Sequence, residues 1–188
     1  MKREQLEHVL RAASRIVHGD EFLVVGSAAV LGTYHETQLP HAASRSDEAD
    51  LAPYDDPDGS KSMAIEGSLG QGSMFHETHG YYADGVDLGT AITPAGWEGR
   101  LVLFSPPGAE GARGWCLEPH DVAASKLAAG RQKDYEFAAA LLDEGLLELA
   151  VPAERLEQLP RERVLPGFLR KAQTWVSARA DRRSDARS

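Results

Sequence analysis

Cysteine, basic charge and long apolar runs are all scarce in this sequence. Its single cysteine, Cys116, excludes an internal disulfide and any zinc cluster built from several cysteines. Cys116 lies in the alternating run Gly-Trp-Cys-Leu at 114–117, which predicts that it is buried in a strand. Lys and Arg number 20 against 29 Asp and Glu, and the formal net charge of -9 excludes a nucleic-acid surface that covers the whole protein. A polyanion would have to bind locally, in the more basic C-terminal half.

The longest apolar runs, 22–25 and 146–151, fall far short of the roughly 20 residues that a membrane-spanning helix needs. The N-terminus leads into an amphipathic segment, without a continuous apolar stretch and a small-residue cleavage site. We therefore expect a soluble, cytoplasmic protein with no membrane partner. An apolar content of 42% with 26% charged residues is typical of a folded globular chain.

Hydrophobic periodicity predicts mixed strands and helices followed by an all-helical C-terminal third. Predicted strands cover 22–25, 48–52, a stretch within 81–91 centred on Asp87, 100–104 and 114–117. Predicted helices cover 4–17, 28–31, 60–69, 119–130, 134–147, 153–159 and 163–179. This order indicates an α+β or α/β fold. We expect an α/β core at 1–118, a helical part packed on it at 119–180, and a charged, frayed tail at 181–188.

Two acidic residues, Glu48 and Asp50, lie two positions apart on a predicted strand. Strand alternation places both carboxylates on one face, about 6 to 7 Å apart. Like charges this close repel each other unless a cation lies between them, and hard divalent cations prefer oxygen ligands. Mg²⁺ is the natural partner of such a pair. The alternative is that the two acids are simply solvated at an exposed edge.

Two further features accompany this pair. Gly26 and Ser27 follow a buried strand, and a glycine there lets the backbone approach a phosphate group while the next helix presents free N–H groups. Asp87 lies between Val86 and Leu88 on another predicted strand. Burying such a carboxylate without a partner is unfavourable, which indicates either a cation beside it or a surface position on an edge strand.

Four segments resemble a known family when they are taken together. Residues 24–27 (Val-Val-Gly-Ser), 48–51 (Glu-Ala-Asp-Leu) and 85–88 (Gly-Val-Asp-Leu) resemble the signature of the polymerase-beta-like nucleotidyltransferase fold. Residues 125–134 resemble the Lys-Leu-x-Ala-x-Arg-x-Lys-Asp segment of abortive-infection (AbiEii-like) toxin nucleotidyltransferases. The resemblance implies a nucleotidyltransferase-like mixed sheet flanked by helices.

The resemblance also implies a role for each matching residue. Mg²⁺, or Mn²⁺ in its place, would bind to Glu48, Asp50 and Asp87, and Asp87 would help to deprotonate the attacking hydroxyl. The nucleotide phosphates would contact Gly26, Ser27, Lys126, Arg131 and Lys133. Asp134 would orient Lys126 or the basic residues beside it. Asp50, Asp87 and Lys126 would be the catalytic set. One departure is Glu48, where the family more often has aspartate.

The implied function is a Mg²⁺-dependent nucleotidyltransferase that moves a nucleoside monophosphate from a nucleoside triphosphate to a hydroxyl of RNA, such as tRNA, or of a protein. The resemblance extends this to the toxin of a toxin-antitoxin pair, with a cognate antitoxin protein as partner. The first alternative is a catalytically inactive nucleotidyltransferase-like domain that binds a nucleotide or a protein as a regulator. The second is a structural interaction module that uses the C-terminal helices.

The segment 76–79 contains two histidines, His76 and His79, but not at the i, i+4 spacing of a two-histidine zinc helix. Zinc is therefore not expected there. The preferred interpretation is a solvated loop beside the site, to which the glycines Gly70, Gly72 and Gly80 would give the freedom of a lid.

Overall fold

The computed structural model describes residues 1–185, and their side chains except those of 166 and 181–185. The chain forms two compact units, which we call the sheet unit (1–91 and 100–118) and the helical unit (92–99 and 119 onward). Within 1–185, no helix combines the length and the apolar character that crossing a membrane requires.

The sheet unit contains five strands and four helices within the described residues. The strands are β1 Glu21–Val25, β2 Glu48–Pro53, β3 Tyr82–Gly85, β4 Val102–Phe104 and β5 Arg113–Cys116. The helices are α1 Arg3–Val17, α2 His41–Ser44, α3 Ser60–Leu69 and α4 Met74–His79. Short 3₁₀ segments connect them, of which Ser27–Gly32 directly follows the first strand.

The strands form one mixed sheet in the order β3-β2-β1-β5-β4. β2 is antiparallel to β1 and parallel to β3, while β5 is parallel to β1 and antiparallel to β4. The α+β class and the mixed sheet that the sequence predicts are therefore confirmed.

The core of the sheet unit lies where amphipathic helices cover the central strands. α1 buries Leu6 and Leu10 along one face, and the β1 residues Phe22 and Leu23 are fully buried. Burying each such side chain contributes about 1.5–3 kcal/mol. α3 packs directly on β3, where a Cβ at Gly85 would come within 1.9 Å of a backbone oxygen of α3. Only glycine permits this close approach, and it fixes β3 beside the helix.

The helical unit contains α5 Pro119–Ala129, α6 Gln132–Asp143, α7 Ala150–Glu157 and α8 Pro166–Asp185. This confirms the predicted helical C-terminal region. Residues 92–99, predicted to belong to the core, join this unit, and Ala95 N–H donates to the Gln158 carbonyl at 3.0 Å. α8 continues through 181–185, where a frayed tail is predicted. The rest of that predicted tail, 186–188, lies outside the described residues.

Three predicted elements differ from those observed. β3 ends at Gly85, so the strand centred on Asp87 is wrong. The Asp87 carboxylate accepts from the Gly89 N–H at 2.6 Å, and this local bond turns the backbone instead of extending it. The segment 28–31 is 3₁₀ and not an α-helix, and the predicted loop at 76–79 lies in the helix α4.

Candidate functional site: a row of carboxylates beside a glycine bend

Glu48 and Asp50 share one face of β2, because the residues that alternate with them, Ala49 and Leu51, are fully buried on the other face. Across the parallel pairing of β2 with β3, Glu48 stands opposite Tyr82 and Asp50 stands opposite Asp84. Residues paired in this way point to the same side of a sheet. The carboxylates of Glu48, Asp50 and Asp84 therefore belong to one face, and we call these three residues the carboxylate row.

The bend after β1 lies directly against this row. Gly26 has φ +66°, a conformation that side chains other than glycine rarely adopt. A Cβ at this position would come within 2.0 Å of the Asp50 Oδ2 atom. The glycine thus lets the backbone pass beside the Asp50 carboxylate, and Ser27 begins the 3₁₀ segment that follows.

Asp84 is the functional candidate that the sequence analysis missed. Burial, together with the charges of Glu66 and Glu48, raises its pKa from 3.8 to about 6, and the Gln71 backbone N–H opposes the shift. Its Oδ1 atom is buried and has no hydrogen-bond partner within the part of the chain that the structure describes. A buried acceptor without a partner is unfavourable, so this oxygen suits a proton or a cation.

Asp87, in contrast, is exposed in a turn beyond the end of β3. Its carboxylate accepts the Gly89 N–H, and its carbonyl accepts the Thr90 N–H at 2.9 Å. The structure therefore does not place Asp87 in the sheet with Glu48 and Asp50. The position opposite Asp50 is occupied by Asp84.

Tyr82 connects the row to its surroundings. Its hydroxyl donates to the Glu48 Oε2 atom at 3.0 Å, and the His76 ring lies 4.7 Å from its ring centroid. Burial, followed by the hydrogen bond to Glu48 and the nearby carboxylate charges, raises the pKa of Tyr82 to about 12. The phenol therefore remains a proton donor throughout the neutral range.

The oxygen atoms of the carboxylate row are suitable ligands for a hard cation, since Mg²⁺ prefers carboxylate oxygens. Among residues 1–185, however, no three His, Cys, Asp or Glu side chains form a group that could hold a metal ion by themselves. Mg²⁺ usually binds through one or two carboxylates, several waters and the phosphates of a substrate. The row suits a cation that arrives with a nucleotide and does not suit a protein-only metal cage.

The three predicted phosphate-binding cations all lie in the helical unit. The Lys126 ammonium lies 3.4 Å from the Asp134 Oδ1 atom and 4.8 Å from the centre of the Phe137 ring. Arg131 Nε donates to the Asp134 Oδ2 atom at 2.7 Å, and Asp134 is fully buried. Lys133 is exposed. Asp134 thus pairs with two of these three cations.

Cys116 is fully buried in β5, as the sequence predicts, and burial raises its pKa to about 12. A thiol in that state is neither a nucleophile nor a metal ligand at neutral pH.

Comparison of the chain with protein-family models, with curated proteins and with solved structures found no match. The geometry of the carboxylate row is therefore the basis for inferring the class of protein.

The raised pKa of Asp84 predicts a stability effect that depends on pH. Because the folded-state pKa of about 6 exceeds 3.8, the ionised carboxylate destabilises the fold fully above pH 6, and this effect disappears as the pH falls towards 4. Asp84 is partly solvated, and water screens part of the unfavourable energy of its charge. We therefore expect Asp84→Asn to raise the free energy of unfolding by about 1 kcal/mol at pH 8. The measurement is urea unfolding in EDTA at pH 8 and pH 5, where the gain should shrink.

The matched control is Asp87→Asn, which removes an exposed carboxylate from the turn that follows β3. This variant should change stability at neither pH. A gain for Asp84→Asn that is equal at both pH values, or a loss at pH 8, would contradict the assignment of its pKa shift to burial.

Proposed function

We propose that the sheet unit is a Mg²⁺-dependent nucleotidyltransferase, which transfers a nucleoside monophosphate from a nucleoside triphosphate to a hydroxyl of RNA, such as tRNA, or of a protein. The observation that supports this proposal is the carboxylate row on one face of the sheet, with the Gly26 bend against Asp50. Phosphoryl transfer requires mainly positioning and screening of negative charge, and a metal-binding carboxylate site provides both.

Glu48 and Asp50 would hold the cation, and Asp84 would complete the row. When bound, Mg²⁺ supplies neutralisation of the phosphate charge. Because Gly26 has no Cβ, the Asp50 carboxylate lies close to the backbone of the bend, and a phosphate would be held there through the cation. Asp84 would accept the proton of the attacking hydroxyl, because its pKa of about 6 lies close to neutrality, where a general base is most effective.

Mn²⁺ would substitute for Mg²⁺, since both accept the same oxygen ligands. The Tyr82 and Asp84 side chains lie on the same face as Glu48 and Asp50, so a substrate bound to the row would lie across β2 and β3. Asp84 lies on the opposite side of Asp50 from β1 and its Gly26 bend, so the acceptor hydroxyl would approach from the side of β3.

The test is incubation of the purified chain with Mg²⁺, nucleoside triphosphates labelled at the α-phosphate, and bacterial RNA or protein. We expect label in one acceptor fraction, lost with EDTA. Nucleotides labelled at the γ-phosphate are the control, because nucleotidyl transfer leaves that phosphate in pyrophosphate. Nucleotide binding without transfer of label would instead favour the inactive regulator, and absence of both binding and transfer would exclude either function.

A further inference from the structure

The Glu48 carboxylate has a specific hydrogen-bond donor on the neighbouring strand. Glu48 and Tyr82 are register partners in the parallel ladder, and the Tyr82 hydroxyl donates to Glu48 Oε2 at 3.0 Å. A glutamate side chain loses up to about 2 kcal/mol of conformational entropy when it is fixed in one rotamer. A hydrogen bond from a rigid phenol offsets part of this loss before any ligand arrives.

Tyr82 is itself held by a chain of contacts from the segment that precedes β3. The His76 ring packs on Tyr82 at 4.7 Å with an interplanar angle of 54°. His76 Nδ1 accepts the Gly72 N–H at 3.0 Å, and its backbone N–H donates to the Ser73 hydroxyl at 3.2 Å. The ring therefore belongs to the anchored N-terminal turn of α4 and gives Tyr82 a fixed neighbour.

We propose that Tyr82, supported by His76, is the positioning residue that orients the Glu48 carboxylate for the divalent cation. The inference rests on the proposed function, since it assigns Glu48 to the metal. Hydrogen bonds of this kind to metal-ligating groups change metal affinity by about 10- to 100-fold when they are removed.

The adjacent tyrosine provides a matched control. Tyr81 lies immediately before β3, and its hydroxyl makes a 2.7 Å hydrogen bond with His8 Nδ1 of α1. Its ring packs on Phe75 and His79, with centroids 5.8 Å away from each. Tyr81→Phe therefore deletes the same oxygen atom from a neighbouring ring without touching Glu48.

The experiment titrates Mn²⁺ into the full chain in the presence of a non-hydrolysable nucleoside triphosphate, with the nucleotide alone as the blank, and follows free Mn²⁺ by electron paramagnetic resonance. We expect Tyr82→Phe to weaken Mn²⁺ binding by about 10- to 100-fold, with Tyr81→Phe within twofold of the unchanged protein. Loss of Mn²⁺ binding in Asp50→Asn would establish that the measured ion occupies the carboxylate row. Saturating Mn²⁺ should return the label-transfer rate of Tyr82→Phe to near its normal value, which a purely structural role would not produce.

The outcomes separate the two proposals. Mn²⁺ binding that Asp50→Asn abolishes and Tyr82→Phe leaves unchanged would overturn the positioning role and leave the proposed function intact. Equal weakening by both phenylalanine variants, together with a lowered melting temperature in EDTA, would also overturn it. If the unchanged protein binds no Mn²⁺, the carboxylate row is not a metal site, and both proposals fail.

Discussion

Asp84→Asn is expected to lower Mg²⁺-dependent transfer of α-labelled nucleotide by on the order of 100-fold or more, while Asp87→Asn should leave it within about twofold. The amide keeps the shape of Asp84 but removes both its negative charge and its capacity to accept a proton. Loss of a general base typically costs about 10²- to 10⁴-fold in rate, and saturating Mg²⁺ does not restore it. Asp87 is exposed in a turn and serves as the control.

The measurement is the initial rate of label transfer at saturating Mg²⁺, with Asp50→Asn as the reference for a disabled row. Circular dichroism of each variant confirms that the fold is retained. A large loss of label transfer in Asp87→Asn, with little effect of Asp84→Asn, would show that the strand register does not identify the third carboxylate. Asp87, which the sequence analysis assigns to that role, would then be the third carboxylate.

The parts of the site that the sequence predicts correctly depend on local patterns. Alternation places Glu48 and Asp50 on one face, and a glycine directly after a buried strand indicates a close approach of the backbone. Helices with a clear apolar period are also predicted well, since α1 and the predicted helix 4–17 nearly coincide. Each of these features is determined by neighbours in the chain, which is why one sequence suffices.

The third carboxylate could not be predicted in this way, because it depends on a pairing between distant segments. Asp84 directly precedes Gly85 and Asp87 lies two positions after it, and alternation alone does not show which of the two stands opposite Asp50. The register is set by Ala83, which is fully buried between two half-buried neighbours on β3. A local signal was nevertheless present: an aspartate two positions before a glycine favours a turn, as Asp87 and Gly89 form.

The buried charges of the helical unit also depend on contacts between distant segments, which local sequence patterns do not predict. His120 and Asp121 are readily interpreted as first-turn residues of a helix, and the His120 Nε2 atom does accept the Glu148 N–H at 3.1 Å. Nothing near Asp121 in the sequence reveals that its carboxylate is fully buried and paired with Arg155 of α7. This pairing joins two helices that are far apart in the chain.

Arg155→Met is therefore expected to lower the free energy of unfolding of the helical unit by about 3–5 kcal/mol. The Arg155 Nε atom lies 3.2 Å from Asp121 Oδ1, and neither side chain is well exposed, at 17% and 0%. Methionine fills a similar volume but removes this guanidinium from the buried Asp121 carboxylate, and a buried charge that loses an oppositely charged neighbour is strongly unfavourable. Urea unfolding followed by circular dichroism measures the change.

The double variant Asp121→Leu with Arg155→Met separates charge from packing. Because replacing both members of a buried ion pair by apolar groups is often neutral, we expect the double variant to recover most of the stability that the single variant loses. Arg161→Met, which changes an exposed arginine of the same unit, should stay within about 0.5 kcal/mol of the unchanged protein. If the single and double variants are equally destabilised, the loss comes from the packing of the arginine stem, and the ion pair is not its source.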